Sequence, residues 1–243
     1  MFKLIRLWFF MLCGVLSLAA PAELRIVAGE VPPFVREDKG HPAGVATDIV
    51  REMASRVGHS GRVELQPFAR MIETGKAERG VLLIPVGRIP AREAHYRWVV
   101  NLVDEAFVLI SKTGGKIDPH RLDKARRVGV MRDSVGERLA RDSGFRLIEG
   151  VTREEANALK LASGRIDLWM AAWNTALQAQ RAAGLAITGL NRGMVTSRVG
   201  IYLAASRDVE ESALQPWRQA LADMKQDGTY QLILASHGYE LPR

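Results

Sequence analysis

The chain carries one cysteine, Cys13, in 243 residues, which excludes a disulfide framework and any thiolate metal site built within it. Histidine is sparse as well. His41, His59, His95, His120 and His237 are scattered, and no two stand four residues apart, so a zinc-binding helix has no support. Neither a glycine-rich phosphate loop nor a G-x-S-x-G elbow occurs. Adjacent acids such as Asp104-Glu105 and Glu154-Glu155 point different ways along the backbone and read as solvated faces. These absences argue against a catalytic residue, a metal site or a cofactor, although a site assembled from distant segments escapes a scan of this kind. Basic runs interleaved with aromatics are also missing, and 34 basic against 27 acidic residues gives a formal charge of only +7. Nucleic acid is therefore not an expected partner.

What is present begins with an export pattern. Lys3 and Arg6 form a short basic region, Leu7 to Leu18 is an almost uninterrupted apolar run, and Ala20-Pro21-Ala22 offers small residues for cleavage. About a dozen apolar residues is short of the roughly 20 that a permanent span needs. Residues 1–22 are thus expected to be a signal peptide, with a mature start at Glu23 and a periplasmic destination. Cys13 lies inside the apolar run without the small residue before it that lipidation requires. The remaining ~220 residues, cysteine-free, are enough for one large or two modest α/β domains, and a monomer is expected.

From Leu24 onward, short apolar runs alternate with longer amphipathic stretches, the pattern of strands and crossover helices in open α/β sheets. Strands are predicted at Leu24 to Ala28, Arg62 to Leu65, Val81 to Val86, Trp98 to Val100 and Ala106 to Ser111. Helices are predicted from a cap at Thr47 or Asp48 to Val57, and over Pro67 to Gly75. After the turn-rich Thr113-Gly114-Gly115 the series repeats in kind. Arg127 to Met131, Arg146 to Glu149 and Ile166 to Met170 read as strands; Val135 to Ser143, Arg153 to Ser163 and Thr175 to Ala183 read as helices. A last strand, Val199 to Ala205, and a last helix, Val209 to Met224, close the series. Two α/β lobes follow, each an open sheet flanked by helices, with a single doubly wound sheet as the competing architecture.

Chemistry concentrates at the end of the third strand, in Pro85-Val86-Gly87-Arg88-Ile89-Pro90-Ala91-Arg92-Glu93. Ligands of open α/β sheets settle at the carboxyl ends of strands. Gly87 permits close approach to backbone, and the planar fork of an arginine matches a carboxylate. The other reading of these residues is a loop of surface arginines.

Together with Gly44 to Asp48, Val128-Gly129-Val130, Ser163-Gly164-Arg165-Ile166-Asp167 and Asp227-Gly228-Thr229-Tyr230-Gln231-Leu232-Ile233-Leu234, this string resembles bacterial extracellular solute-binding proteins of family 3. The order matches, over essentially the whole mature chain. The resemblance implies a type II periplasmic-binding-protein fold whose two lobes are joined by a two-crossing hinge near Ser111 and Gly200 to Ala204, with lobe 1 at 23–111 and 204–243 and lobe 2 at 112–203. It implies that Arg92 grips a ligand carboxylate, with backbone donors at Ser134 and Val135 at the start of a helix, where Asp133 stands in place of the family's usual glycine. Pro85, Gly87, Arg88, Phe34, Phe68 and Arg70 are the accompanying ligand-facing candidates, core packing being the competing role for the two phenylalanines. Pro67-Phe68-Ala69-Arg70 points to a less characterised branch without an assigned ligand.

One departure concerns the ligand's amine. The aspartate that amino-acid binders of the family place five residues beyond the G-R-x-D aspartate is here Ala172. A buried ammonium without a partner costs several kcal/mol. Trp173 or Asn174 could take its place, against the simpler role of packing at a helix start. The expectation is a small anionic or zwitterionic ligand, captured for an inner-membrane permease of an ABC-type transporter. A sensory module, or a periplasmic enzyme of the cyclohexadienyl dehydratase kind using Asp104, Glu105 or Asp133, are the alternatives that the resemblance leaves open.

Overall fold

The structure, a computed structural model, describes residues 23–112, 117, 121–239 and 241. The expected signal peptide and the Thr113-Gly114-Gly115 turn lie outside the described residues. The first half of the chain builds β1 (Arg25–Gly29), a small hairpin β2 (Arg36–Asp38) and β3 (His41–Ala43), then α1 (Val45–Val57), β4 (Val63–Gln66), α2 (Phe68–Ala77) and β5 (Val81–Gly87). After β6 (Tyr96–Ser111) the same logic recurs in β7 (Arg127–Met131), α3 (Val135–Asp142), β8 (Leu147–Val151), α4 (Glu154–Ala162), β9 (Leu168–Ala172) and α5 (Trp173–Ala182). The chain ends in β10 (Asn191–Ser206), α6 (Glu211–Gln226) and α7 (Thr229–Ser236).

Among the described residues one eight-stranded sheet, in the order β4-β1-β5-β10-β6-β9-β7-β8, runs through the molecule. The strands β4, β1 and β5 are parallel, as are β9, β7 and β8, because a helix connects each successive pair. Seven consecutive residues of β5 are buried, since helices cover both faces of that strand and no alternation is needed. Between the two parallel triplets stand β6 and β10, antiparallel from Tyr96 opposite Ser206 to Ser111 opposite Asn191.

These long strands pass from one apolar core to another. Val99, Leu102 and Val103 pack with α1, α2, α6 and β5, whereas Val108, Leu109 and Ile110 pack with the cores of the second lobe. The sequence pattern breaks β6 into two short strands, but the structure has one strand, paired with β10 along its length through β-bulges, one of them between Ile201 and Tyr202. Asn101, Asp104 and Glu105 interrupt the apolar run where the strand leaves one core for the next, and pairing with Tyr202, Gly200 and Val199 carries it across.

Two further departures have local causes. Neither Thr47 nor Asp48 caps α1; the helix starts earlier, at Gly44, and Val45 N–H and Ala46 N–H donate to the carbonyls of Pro33 and Phe34. The helix α7 escapes a periodicity reading because it buries little besides Tyr230 and Leu234, while Leu232 is exposed. Tyr230 anchors it by donating to Leu102 O at 2.7 Å, over the first core.

Gly44 is the residue on which the entry to α1 turns. Its φ of 123° lies where side chains are rarely tolerated, and a Cβ there would stand 2.5 Å from Phe34 O. Gly44→Ala is expected to cost ~2 kcal/mol or more in unfolding free energy, read from chemical denaturation. An unchanged midpoint would show that the Phe34 turn is free to move.

Candidate ligand-binding cleft

Where the carboxyl ends of β1 and β5 face those of β7 and β9, the two lobes enclose a narrow cavity of about 40 Å³. The first lobe contributes Phe34, Phe68, Pro85, Gly87 and Arg92; the second contributes Met131, Ser134, Val135, Glu154, Ala172 and Thr175. Phe107 and Ile201, from the two crossing strands, form part of its wall.

Each first-lobe residue is fixed by the element that carries it. Phe34 is held because α1 begins against its carbonyl, and Tyr239 packs on it with ring centroids 6.0 Å apart. Phe68 opens α2 directly after Pro67, whose missing N–H is no loss at a helix start. Arg92 closes a 3-10 turn, Pro90–Arg92, just beyond β5. Its side chain is 6 % exposed. One guanidinium nitrogen donates to Gly87 O at 3.0 Å, the other to Asp133 O of the opposite lobe, and the group lies 5.9 Å from the centroid of the Phe68 ring. Among the described residues it has no carboxylate partner. Burial pulls its pKa below the ordinary arginine value, and the nearby Tyr96 and Asp133 offset only part of that.

Across the cavity, α3 begins with a reciprocal cap. Ser134 Oγ accepts from Glu137 N–H at 3.2 Å, and the Glu137 carboxylate accepts from Asp133 N–H at 2.8 Å. Asp133 occupies the left-handed region, φ 56°, which accounts for glycine being usual there, and its side chain is turned to solvent. Ser134 and Val135 line the cavity, and Asp133 does not. The lobes meet closely at Gly87, where a Cβ would lie 2.6 Å from Val135 Cγ2.

Glu154 and Thr175 are the second-lobe residues that the sequence did not single out. Glu154 is 7 % exposed. Its Oε2 accepts from Asn157 Nδ2 at 2.7 Å and from Trp169 Nε1 at 2.8 Å. Burial pushes its pKa up from 4.5 to about 7, against these two hydrogen bonds, with a small further push from Glu155. The buried Thr175 Oγ1 has no hydrogen-bond partner among the described residues. The one cue to Glu154 in the sequence was an acid in the first turn of a predicted helix, a position usually solvated.

Three candidates stand elsewhere. Arg88 is exposed, paired with Glu93 at 2.8 Å and lying over Trp98 and Tyr202 at 5.3 and 5.4 Å. Arg70 is exposed on α2. Trp173, half-buried, lines a separate hollow of about 830 Å³ with Asn174, Arg181, Arg192 and Glu105, and Arg192 lies over its ring at 5.2 Å. Of the acids weighed for a catalytic role, Glu105 is buried in that same hollow, its pKa raised by burial, and accepts from Ala106 N–H, Asn174 and Tyr239. Asp104 and Asp133 are exposed. None of the three lines the cleft.

Among families, Bacterial extracellular solute-binding proteins, family 3, matches residues 25–239. No curated protein matches the chain. Similar solved structures include a histidine kinase sensor domain with similarity to periplasmic binding proteins, at TM-score 0.79 and 20 % identity over 90 % of this chain and 97 % of that one. The arginine-, lysine-, histidine-binding protein ArtJ from Geobacillus stearothermophilus gives TM-score 0.76 and 16 % identity over 91 % and 97 %. An ancestral amino-acid-binding protein, a precursor of cyclohexadienyl dehydratase, gives 0.74 and 18 % over 88 % and 94 %. At these identities the likeness is one of fold, a two-lobed α/β architecture.

The raised pKa of Glu154 has a sign that can be checked. The folded state keeps this proton between pH 4.5 and about 7, where the unfolded chain has released it. Stability of the ligand-free protein is thus expected to fall as pH rises through that window and to level off above it. Glu154→Gln should flatten this slope in denaturation midpoints taken at a series of pH values; an equally steep slope in the variant would assign it to another group.

Proposed function

We propose, on the premise that this chain belongs to the bacterial extracellular solute-binding proteins, family 3, that it captures a small carboxylate-bearing ligand in the periplasm by closing its two lobes on it. The observation that carries this reading is the Arg92 guanidinium, buried at the lobe interface and, among the described residues, without a carboxylate partner. Two backbone carbonyls satisfy some of its donors, but carbonyl dipoles do not neutralise a cation as an anion does. A ligand carboxylate reaching Arg92 and the amides at the start of α3 would meet a formal charge and a helix dipole of the same sign.

Closure follows from the same contacts. Arg92 reaches Asp133 O, Arg153 comes within 3.7 Å of Glu30, and Gly87 lies against Val135, each pair joining the first lobe to the second. We place the division between the lobes inside β6 and β10, near Asp104 and Gly200 and short of the Ser111 boundary expected from the sequence, because Val108, Leu109 and Ile110 pack in the second lobe's cores while Ile201 and Leu203 pack in the first, with hinge bending in those two strands. The change of apolar core along β6 supports a hinge in that strand. ArtJ, an arginine-, lysine-, histidine-binding protein of similar fold, supports a ligand in the amino-acid or organic-acid range, and the similar fold of the substrate-binding protein of an amino acid ABC transporter supports delivery to such a permease. Export through the signal peptide at 1–22 is part of this reading.

A sensing role is the second reading, and the histidine kinase sensor domain of similar fold favours it. A neighbouring permease and ATPase gene pair supports transport; a neighbouring kinase or cyclase gene supports sensing.

Thermal-shift screening against small carboxylates and amino acids should find at least one stabilising ligand, since binding to the folded state alone raises the melting temperature. Arg92→Ala should abolish that shift without unfolding the protein, because the side chain's removal also relieves a buried charge. Full affinity in the variant would refute the anchor. Gly87→Ala should weaken the same ligand at least tenfold by holding the lobes apart at Val135, with a larger radius of gyration in small-angle scattering at saturating ligand; wild-type affinity and radius would show that closure does not pass through this contact.

A further inference from the structure

The cleft holds a second buried ionisable group, contributed by the other lobe. We propose that Glu154 is the partner for a cationic group of the ligand, an ammonium, so that the cleft is built for a zwitterion even though residue 172 is alanine. This deepens the carboxylate reading above and rests on it.

Three observations converge on Glu154. It lines the same cavity as Arg92, Ser134 and Ala172. Both of its hydrogen bonds, from Asn157 and Trp169, land on Oε2, which fixes the carboxyl plane and leaves Oε1 without a hydrogen bond among the described residues. Close by in the lining, the buried Thr175 Oγ1 lacks a hydrogen-bond partner, a second polar atom that an N–H donor could satisfy.

A purely structural role does not account for the choice of residue. Trp169 Nε1 and Asn157 Nδ2 need an acceptor, and a glutamine supplies one without placing an ionisable group where burial disfavours its charge. An incoming ammonium changes that balance by offering the carboxylate a charge-assisted bond in a water-poor site. The groups facing Glu154 leave it free to respond. Glu155 beside it on α4 repels its charge; β7, β9 and α5 present the uncharged Met131, Trp169 and Thr175; Arg92 is the cation facing the cavity from the first lobe. Binding of an ammonium at neutral pH should therefore displace a fraction of a proton from Glu154 into solvent.

The test is calorimetric titration of the mature protein with a panel of α- and ω-amino acids, each beside the carboxylic acid that lacks its amine. At least one amino acid should bind at least tenfold more tightly than its amine-free counterpart. Titration in two buffers of different ionisation enthalpy at pH 7 should show net proton release for that amino acid. Glu154→Gln should weaken it at least tenfold and abolish the proton release while the amine-free acid keeps its weaker binding. Amine-free acids that bind as well as their parents, an unchanged Kd in Glu154→Gln, or no proton release in the wild type would each overturn the proposal and leave the Arg92 reading standing. If no member of either series binds, the carboxylate reading fails and this one fails with it. The proton-release measurement needs only the wild-type protein, so it decides the matter even if the variant folds poorly.

Discussion

A guanidinium kept from water between two lobes, with backbone carbonyls as its partners, is the constraint around which the cleft is arranged. Taking an ion out of water costs several kcal/mol after relaxation, and here the Phe68 face and the carbonyls of Gly87 and Asp133 return only part of it. The neighbouring elements are shaped by that cost. Residue 87 has no side chain because Val135 would collide with one. Asp133 adopts a strained backbone and aims its carbonyl at Arg92 while its carboxylate faces solvent. Ser134 and Glu137 finish the helix start by accepting from the amides of Glu137 and Asp133.

The two lobes differ in what they supply. The first offers aromatic and aliphatic walls with one permanent charge, whose sign does not change at any physiological pH. The second offers hydroxyls, backbone amides and one carboxyl group poised to change charge near neutrality. On the proposed reading, recognition would be split between a fixed element and a responsive one, brought together by the apposed lobes.

The parts of this organisation that could be read along the chain are those that repeat locally. Alternating apolar runs gave most strands and helices to within a few residues, because each buries one face against a neighbour in the same lobe. The string from Pro85 to Arg92 led to the cleft because a strand end, a glycine and an arginine are consecutive. The same string holds Arg88, which, four residues before Arg92, lies over Trp98 and Tyr202 outside the cleft lining. Trp173 was placed by counting from Asp167, and the count gives position along the chain but not which side of β9 the helix start faces. Glu154 left no usable mark, since its burial depends on Trp169 and Asn157 reaching it from β9 and α4. The unity of β6 was hidden because hydrogen bonds to β10, and not side chains, hold it together where the cores change.

That shared ladder has a mechanical consequence. A pair of loose linkers would let the lobes wander, and each capture would have to gather them from a broad distribution of orientations. Two hydrogen-bonded strands running through both lobes behave as a leaf spring instead. If the lobes move as proposed, their motion would be a bend and a twist of this ladder, with a penalty for displacement that is elastic more than entropic. A surface that reads the angle between the lobes would therefore receive a signal with few values.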